Sequence, residues 1–334
     1  MEIKVKTIDN EYSVYVGYNL LDKCEEYISF PNKTLILTDD NIPEEYINKL
    51  ANKALNACIC TVKNGEASKS FETYQEVMKV LMENEFTRKD LLISLGGGVI
   101  GDLGGFVAST YKRGIRFINV PTTTLSMVDS SIGGKNGINF LGYKNMVGSF
   151  YQPEMVIADL STLESLPRRH FYSGLIEALK SGLIGDSELF ELFFDDVNDY
   201  LEEIIVRSIN VKKKVIEIDP YEKGLRKILN YGHTFGHALE SYCSLKDLYH
   251  GEAVGIGMYL VLKGRLKEKV EDILGMFSVD YNMDFDKEEI LKLVTQDKKV
   301  SGNTITLVLV EEVGKAILKE VTFDELRKIL YKED

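Results

Sequence analysis

Leu91-Leu92-Ile93-Ser94-Leu95-Gly96-Gly97-Gly98-Val99-Ile100-Gly101-Asp102 joins an apolar run to a cluster of glycines. The apolar run predicts a buried strand, and the glycines fit the spacing G-x-G-x-x-G. Such glycines let a strand turn tightly into a helix and let the backbone approach a pyrophosphate. No acidic residue ends the next predicted strand, so a contact to a ribose would have to come from elsewhere, such as Asp39 or Glu66.

Short apolar runs recur through the first half of the chain. They predict strands at residues 34–38, 58–62, 91–95, 117–120 and 155–159, and helical patterns at 43–56 and 71–83 lie between them. Residues 1–5 also alternate apolar and polar side chains like a strand. This alternation of strands and helices predicts an α/β domain with a Rossmann-like, mostly parallel sheet.

The pattern becomes helical after residue 166. Amphipathic stretches lie at residues 172–184, 189–219, 231–242, 252–269 and 287–295, and one hairpin is predicted from 304–310 and 315–321. We therefore expect an α/β domain at residues 1–166 and a mostly α-helical domain at residues 167–334.

The composition narrows the class of protein. A formal net charge of −12 argues against nucleic acid as a partner, although a local basic cluster can still hold a small anion. The apolar stretches are too short to span a membrane, and residues 1–5 do not begin a signal peptide. The four cysteines are sparse and lack metal-site spacing, so we expect a cytoplasmic protein.

Three of the four histidines lie close together in the sequence. His233 and His237 are four residues apart, so on a helix they share a face and resemble half of a metal site. His250 is a candidate third ligand, and a carboxylate could serve equally well. The candidate carboxylates on predicted helices are Glu177, Glu240 and Glu252. Spacing alone leaves the choice among these side chains open.

Several short strings together resemble one family, the 3-dehydroquinate synthases of the shikimate pathway. They span most of the chain in the order that the family has, and they are specific as a set. The matching strings are residues 96–102, 113–114, 120–123, 128–135, 144–148, 177–180, 222–226, 230–237, 250–253 and 297–299.

This resemblance implies a dehydroquinate synthase-like fold, bound NAD+, one divalent metal (Zn2+ or Co2+) and a homodimer. The family converts 3-deoxy-D-arabino-heptulosonate 7-phosphate to 3-dehydroquinate and phosphate. The implied course is transient oxidation by NAD+, β-elimination of phosphate, re-reduction and an intramolecular aldol closure. The alternatives are a related sugar-phosphate cyclase, whose substrate lacks the carboxylate, and a metal-dependent glycerol-type dehydrogenase.

The resemblance also implies a role for individual residues. The metal ligands are Glu177, His233 and His250, and His237 faces the substrate instead. Arg113 is expected to reach the active site of the neighbouring subunit. The implied catalytic and substrate-binding residues are Arg113, Asp129, Lys135, Asn145, Lys180, Lys212, Glu222, Arg226, Asn230, His237 and Lys299, with Lys298 as the alternative to Lys299. The implied NAD contacts are Asp39, Asn41, Glu66, Lys69, Gly97, Gly98, Val99, Asp102, Thr122, Thr123, Leu125, Lys135, Lys144, Thr162, Ser165 and Leu166.

Overall fold

The computed structural model describes residues 1–8, 10–243, 248–296 and 304–331. The chain divides into two compact units, Met1–Pro167 and Arg168–Asp334. The first unit carries a mostly parallel sheet with helices, and the second is mostly helical, which confirms the predicted fold class. The division expected after residue 166 differs by one residue from this one.

The first unit alternates strands and helices along most of its length. Its elements are β1 (Glu2–Lys6), β2 (Glu11–Gly17), β3 (Thr34–Asp39), α1 (Glu44–Ala51), β4 (Ala57–Val62), α2 (Phe71–Glu83), β5 (Leu91–Gly96), α3 (Gly98–Thr110), β6 (Arg116–Pro121), β7 (Lys135–Phe140), β8 (Tyr143–Phe150) and β9 (Met155–Asp159).

Seven of these strands form one sheet in the order β1-β2-β9-β6-β5-β3-β4. Only the β1–β2 pair is antiparallel among the described pairs of this sheet. Strands β3 and β5 are buried along their whole length, which explains why their sequences are continuous apolar runs rather than alternating ones. Because the strands are parallel, the carboxyl ends of β3, β4, β5, β6 and β9 meet at one edge of the sheet.

Helix α3 lies directly on the sheet at the third glycine of the motif. A Cβ atom at Gly101 would lie 2.9 Å from the Nδ2 atom of Asn119 on β6. A larger residue would require the Asn119 side chain or the helix to shift, so the glycine serves the close helix–strand packing that the motif predicts.

The β7–β8 hairpin was not predicted from the sequence. Nearly every residue of β8 is exposed or half-buried, so the strand lacks the buried apolar run or alternation that reveals a strand. The base of the hairpin is fastened by Asn136, whose Nδ2 atom donates to the carbonyl oxygens of Gly134 and Tyr151 at 2.9 Å each.

The second unit is built from helices and one hairpin. Its elements are α4 (Arg168–Gly185), α5 (Ser187–Glu191), α6 (Leu201–Ile218), α7 (His233–Tyr242), α8 (His250–Val261), α9 (Gly264–Met276), α10 (Lys287–Gln296), β10 (Thr304–Glu312), β11 (Lys315–Thr322) and α11 (Phe323–Tyr331). Strands β10 and β11 pair antiparallel, which confirms the predicted hairpin. Within the described ranges, none of the helices combines the length and apolar character that crossing a membrane requires.

Two predicted long helices are each divided, so those predictions were wrong in detail. The stretch at 189–219 breaks between α5 and α6, where the Asp196 carboxylate accepts the N–H of Asn198 at 2.9 Å and so competes with helical hydrogen bonding. The stretch at 252–269 breaks between α8 and α9, where Gly264 has a φ of +58°. That left-handed conformation suits glycine and ends the regular helix geometry.

Candidate active site

Three side chains from three helices of the second unit converge on one point. Glu177 lies in the middle of α4, and His233 and His250 are the first residues of α7 and α8. The Oε1 atom of Glu177 lies 3.7 Å from Nε2 of His233 and 3.5 Å from Nε2 of His250. One ligand atom from each residue lies within 4.8 Å of the others, a spacing that could hold a metal ion.

A left-handed glycine and a capping hydroxyl fix the starts of the two helices that carry His233 and His250. Gly232, which precedes His233, has a φ of +78°, and this left-handed turn directs the chain into α7. The N–H of Gly251 donates to the hydroxyl of Ser173 on α4 at 3.1 Å. The hydroxyl thus satisfies one of the free N–H groups at the start of α8 and ties His250 to the helix that carries Glu177.

Of the three candidate carboxylates, only Glu177 faces both histidine Nε2 atoms. Glu252 forms a two-point ion pair with Arg169 at 2.6 and 2.7 Å and also accepts the N–H of Tyr249 at 2.9 Å. Its oxygens therefore cap α8 instead of facing the histidines. Glu240 contacts the opposite nitrogen of His250, with 3.1 Å between Oε2 and Nδ1.

The electrostatic environment shifts the pKa values of His233 and His250 in opposite directions. Burial, together with the positive charge of Lys180, holds the pKa of His233 well below its usual range. Burial alone would also lower the pKa of His250, but the hydrogen bond to Glu240 and the charge of Glu177 outweigh it and raise that pKa. His233 is consequently neutral at neutral pH, the form in which imidazole binds metals.

His237 lies one turn beyond His233 on the same face of α7. Its ring centroid is 5.2 Å from that of His233 and 6.0 Å from that of His250. The side chain is half-buried and borders the convergence point. It also forms a second possible ligand group with Glu240 and His250, in which the ligand atoms again lie within 4.8 Å.

The second unit also buries several cationic side chains. Lys180 is 2% exposed and forms an ion pair with Glu177, one turn earlier on α4. Lys212 on α6 and Arg226 on the turn Leu225–Asn230 are 6% and 3% exposed. Basic side chains such as these could hold a small anionic ligand in a protein of negative net charge.

Asp219 organises the loop that carries Arg226. Its carboxylate accepts the backbone N–H groups of Lys223 at 2.8 Å, Gly224 at 2.7 Å and Arg226 at 3.0 Å. In the same loop, the side-chain amide of Asn230 donates to Glu222 at 2.7 Å. Sequence reasoning missed Asp219, although an aspartate at a helix end is a known signal for this kind of local capping.

Asp219→Ala is expected to destabilise the protein by about 2 kcal/mol at neutral pH, because three N–H groups lose a charged acceptor. Burial by itself would raise the pKa of Asp219, but these hydrogen bonds outweigh it and lower the pKa. The stabilisation is therefore complete above the unfolded-state pKa of about 3.9 and disappears as the pH falls through the lower folded-state pKa. Urea unfolding of both proteins at neutral and acidic pH measures the difference.

The exposed Asp284 provides the matched control, and Asp284→Ala should leave the unfolding midpoint unchanged. Equal midpoints for the parent and Asp219→Ala at neutral pH would contradict the prediction. If the difference in unfolding free energy between the parent and Asp219→Ala were the same in acid, the ionised carboxylate of Asp219 would not be its cause.

The residues expected to contact NAD follow the carboxyl ends of the parallel strands. Asp39 ends β3, Glu66 and Lys69 follow β4, and Gly97, Gly98 and Val99 follow β5 at the start of α3. Thr122, Thr123 and Leu125 follow β6, and Thr162, Ser165 and Leu166 follow β9. Asn41 follows Asp39 and donates its N–H to that carboxylate at 2.9 Å. Ligands of open α/β sheets bind at this edge.

Lys69 connects several of these positions. Its side chain is 4% exposed, and its Nζ atom lies 2.7 Å from Oδ2 of Asp102 and contacts Oδ1 of Asn145. The neighbouring Asn139 donates to Glu66 at 2.8 Å and accepts the N–H of Asn145 at 2.8 Å. Asn139, which sequence reasoning did not identify, therefore joins the β7–β8 hairpin to this network.

The other predicted site residues of the first unit lie on its turns and hairpin. Asp129 is in the turn Ser126–Ser130, and Lys135 and Lys144 lie on β7 and β8. Arg113 is exposed in the turn Tyr111–Arg113, with a φ of +63°. The predicted Lys299 and its alternative Lys298 lie outside the described residues.

Comparison with known proteins matches the chain to two sequence families. The family described as 3-dehydroquinate synthase N-terminal matches residues 59–173, and 3-dehydroquinate synthase C-terminal matches residues 174–300. The 3-dehydroquinate synthase of Clostridium botulinum is 38% identical over 345 residues, covering 97% of this chain and 99% of that protein. The 3-dehydroquinate synthase of Alkaliphilus oremlandii is 39% identical over 357 residues, covering 99% and 98%.

A solved structure shares the whole fold. It is 2-epi-5-epi-valiolone synthase from Streptomyces hygroscopicus subsp. jinggangensis, determined with NAD+ and Zn2+ bound, and it aligns with a TM-score of 0.87 at 25% identity over 96% of each chain. The full-length similarity to named synthases exceeds what a shared fold alone would give. The chain belongs to the 3-dehydroquinate synthase family.

Proposed function

We propose that this protein is a 3-dehydroquinate synthase, which converts 3-deoxy-D-arabino-heptulosonate 7-phosphate to 3-dehydroquinate and phosphate with NAD+ and one divalent metal. The observation that carries the proposal is the convergence of Glu177, His233 and His250 in a unit that also buries Lys180, Lys212 and Arg226. A metal group beside buried cations suits an anionic, oxygen-rich substrate.

The carboxylate of Glu177 supports metal binding. It is 1% exposed, and no group within the described ranges donates a hydrogen bond to its Oε1 atom. A buried carboxylate oxygen is costly without a partner, and two histidine nitrogens face it. One carboxylate and two imidazoles with room for further ligands are typical of a catalytic Zn2+ or Co2+ site. The metal would polarise substrate oxygens as a Lewis acid and would help to orient the substrate.

The basic residues are assigned to the charged groups of the substrate. Lys180, Lys212 and Arg226 would bind its phosphate or carboxylate, and their burial strengthens each such contact because less water screens it. Glu222 orients the Asn230 amide beside them through its 2.7 Å hydrogen bond. We assign His237 to positioning the departing phosphate and to proton transfer, since imidazole can carry a proton near neutral pH.

The edge of the first-unit sheet supports NAD binding. Helix α3 begins with N–H groups that no side chain of the described residues caps, and a Cβ atom at Gly98 would lie 3.0 Å from the hydroxyl of Ser130. Free N–H groups and a bare backbone at a helix start suit a pyrophosphate. Asp39, at the end of β3, would accept a ribose hydroxyl, and the cofactor would supply reversible hydride transfer. The other predicted NAD contacts follow the carboxyl ends of the parallel strands, apart from Lys135 and Lys144 on the β7–β8 hairpin.

We further infer a homodimer that works in the cytoplasm. Support comes from the family membership and from the sparse use of cysteine, with four in the chain, which suits a reducing compartment. Light scattering after size-exclusion chromatography should give twice the chain mass of 37.8 kDa.

Phosphate release without net reduction of NAD+ is the expected signature of this activity. Purified protein with NAD+ and Zn2+ or Co2+ should release one phosphate for each heptulosonate phosphate consumed, because the hydride that the cofactor accepts is returned. A phosphate assay and NADH absorbance, followed together, measure both quantities.

Two outcomes would overturn this proposal. Steady accumulation of NADH with glycerol would identify a glycerol-type dehydrogenase. Turnover of a sugar phosphate that lacks the carboxylate, with no turnover of the heptulosonate phosphate, would identify a related cyclase.

A further inference from the structure

Glu240 is a buried carboxylate to which the proposed chemistry gives no task. It is 5% exposed and lies on α7, seven residues beyond His233 and three beyond His237, so all three side chains share one helix face. Its Oε2 atom lies 3.1 Å from Nδ1 of His250. Burying a carboxylate costs free energy, and this contact supplies a reason for the residue to be there.

The contact determines which nitrogen of His250 carries the proton. An ionised carboxylate can only accept a hydrogen bond, so Nδ1 of His250 must be the donor. In the neutral ring, the lone pair then lies on Nε2, which is the atom that lies 3.5 Å from Oε1 of Glu177. Glu240 therefore leaves the correct nitrogen available to a metal.

His233 shows the same arrangement with a different acceptor. Its Nδ1 atom lies 3.0 Å from the backbone carbonyl oxygen of Tyr231, and its Nε2 atom faces Glu177 at 3.7 Å. In both His233 and His250, a contact at Nδ1 therefore orients the ring so that Nε2 faces Glu177. The acceptor for His233 is the neutral backbone carbonyl of Tyr231. The acceptor for His250 is the charged side chain of Glu240, which a substitution can remove.

We propose that Glu240 is a positioning residue that fixes His250 in its Nδ1–H tautomer and strengthens Nε2 as a metal ligand. This inference rests on the proposed metal site of the proposed function. A carboxylate behind a ligand histidine orients the ring and raises its basicity, and loss of such a partner typically weakens metal binding about 10–100-fold.

Metal affinity tests the proposal independently of activity. Competition with a chromophoric chelator for Co2+ should show binding weakened about 10–100-fold by Glu240→Ala. Glu240→Gln should weaken it less, because the amide oxygen still accepts from Nδ1 but carries no charge. Glu191→Gln is the matched control, since Glu191 is an exposed carboxylate of the same unit that pairs with Lys269. The Co2+ affinity of this variant should equal that of the parent.

The tautomer provides a second readout, which the parent protein alone can give. The chain has only four histidines, so 15N-histidine NMR can resolve each ring in metal-free protein. His250 should show a protonated Nδ1 in the parent and in Glu240→Gln. A neutral ring with its proton on Nε2 and an unprotonated Nδ1 in the parent would overturn the proposal even if Glu240→Ala failed to fold.

The outcomes separate this inference from the proposed function. If Glu177→Gln abolishes metal binding while both Glu240 variants bind as tightly as the parent, the metal site stands and the role of Glu240 is wrong. If the parent binds two ions and Glu240→Gln binds one, then Glu240 is itself a ligand with His237 and His250, which also overturns the positioning role. If the parent binds no metal, the proposed function fails first.

Discussion

Glu177→Gln is expected to abolish stoichiometric metal binding and to slow phosphate release on the order of 10³-fold, since a bound metal stabilises the transition state by several kcal/mol. Glu177 is the only anionic member of the group that it forms with His233 and His250. An amide keeps the shape of the side chain but removes its charge, and a neutral oxygen binds Zn2+ or Co2+ far less tightly. Metal content after dialysis and the phosphate assay should therefore fall together.

The control for this substitution must address Lys180. Lys180 is 2% exposed and pairs with Glu177, so the variant also leaves a buried cation without that anion. Thermal unfolding distinguishes lost metal binding from lost folding. His250→Ala removes a ligand without disturbing that ion pair, and it should lose metal and activity to a similar extent. A folded Glu177→Gln protein that retains metal would refute the ligand assignment.

The sheet of the first unit was largely predictable because its central strands are buried on both faces. Strand β5 is apolar throughout for that reason, and its glycines mark the turn into α3. The β7–β8 hairpin gave no such signal, because exposure removes the selection for apolar residues that makes a strand visible. The same hairpin carries Lys135, Lys144 and Asn145, so part of the candidate site lay in a segment whose structure was not predicted.

The candidate metal site shows where spacing stops being informative. His233 and His237 are neighbours on α7, and their spacing alone suggests a pair of ligands. Which nitrogen faces a carboxylate depends on how α4 and α8 pack against α7, and no local pattern records that packing. The sequence pattern left Glu177 as one of three candidate carboxylates, and only the family resemblance selected it. The role inferred for Glu240 depends on a 3.1 Å contact that the sequence cannot supply.

Gly257→Ala is expected to be among the most damaging small substitutions in the second unit. A Cβ atom at this position on α8 would lie 2.0 Å from the carbonyl oxygen of Gly232 and 3.0 Å from the N–H nitrogen of Gly236 on α7. Main-chain atoms cannot rotate away as a side chain can, so the two helices must separate. Overpacking of this kind costs about 1–3 kcal/mol and occasionally more, and we expect a value at the upper end.

The separation should also reach the metal group, because α7 and α8 begin with His233 and His250. Gly257→Ala should therefore weaken Co2+ binding as well as lower the free energy of unfolding. Gly275→Ala is the matched control, since no atom of the described residues lies within 4 Å of a Cβ atom at that position of α9. Alanine favours a helix over glycine by about 0.5–1 kcal/mol, so the control should be slightly more stable than the parent. If both variants were stabilised equally and bound Co2+ like the parent, the close backbone contact between α7 and α8 would be wrong, and with it the reason that two histidines from separate helices meet at Glu177.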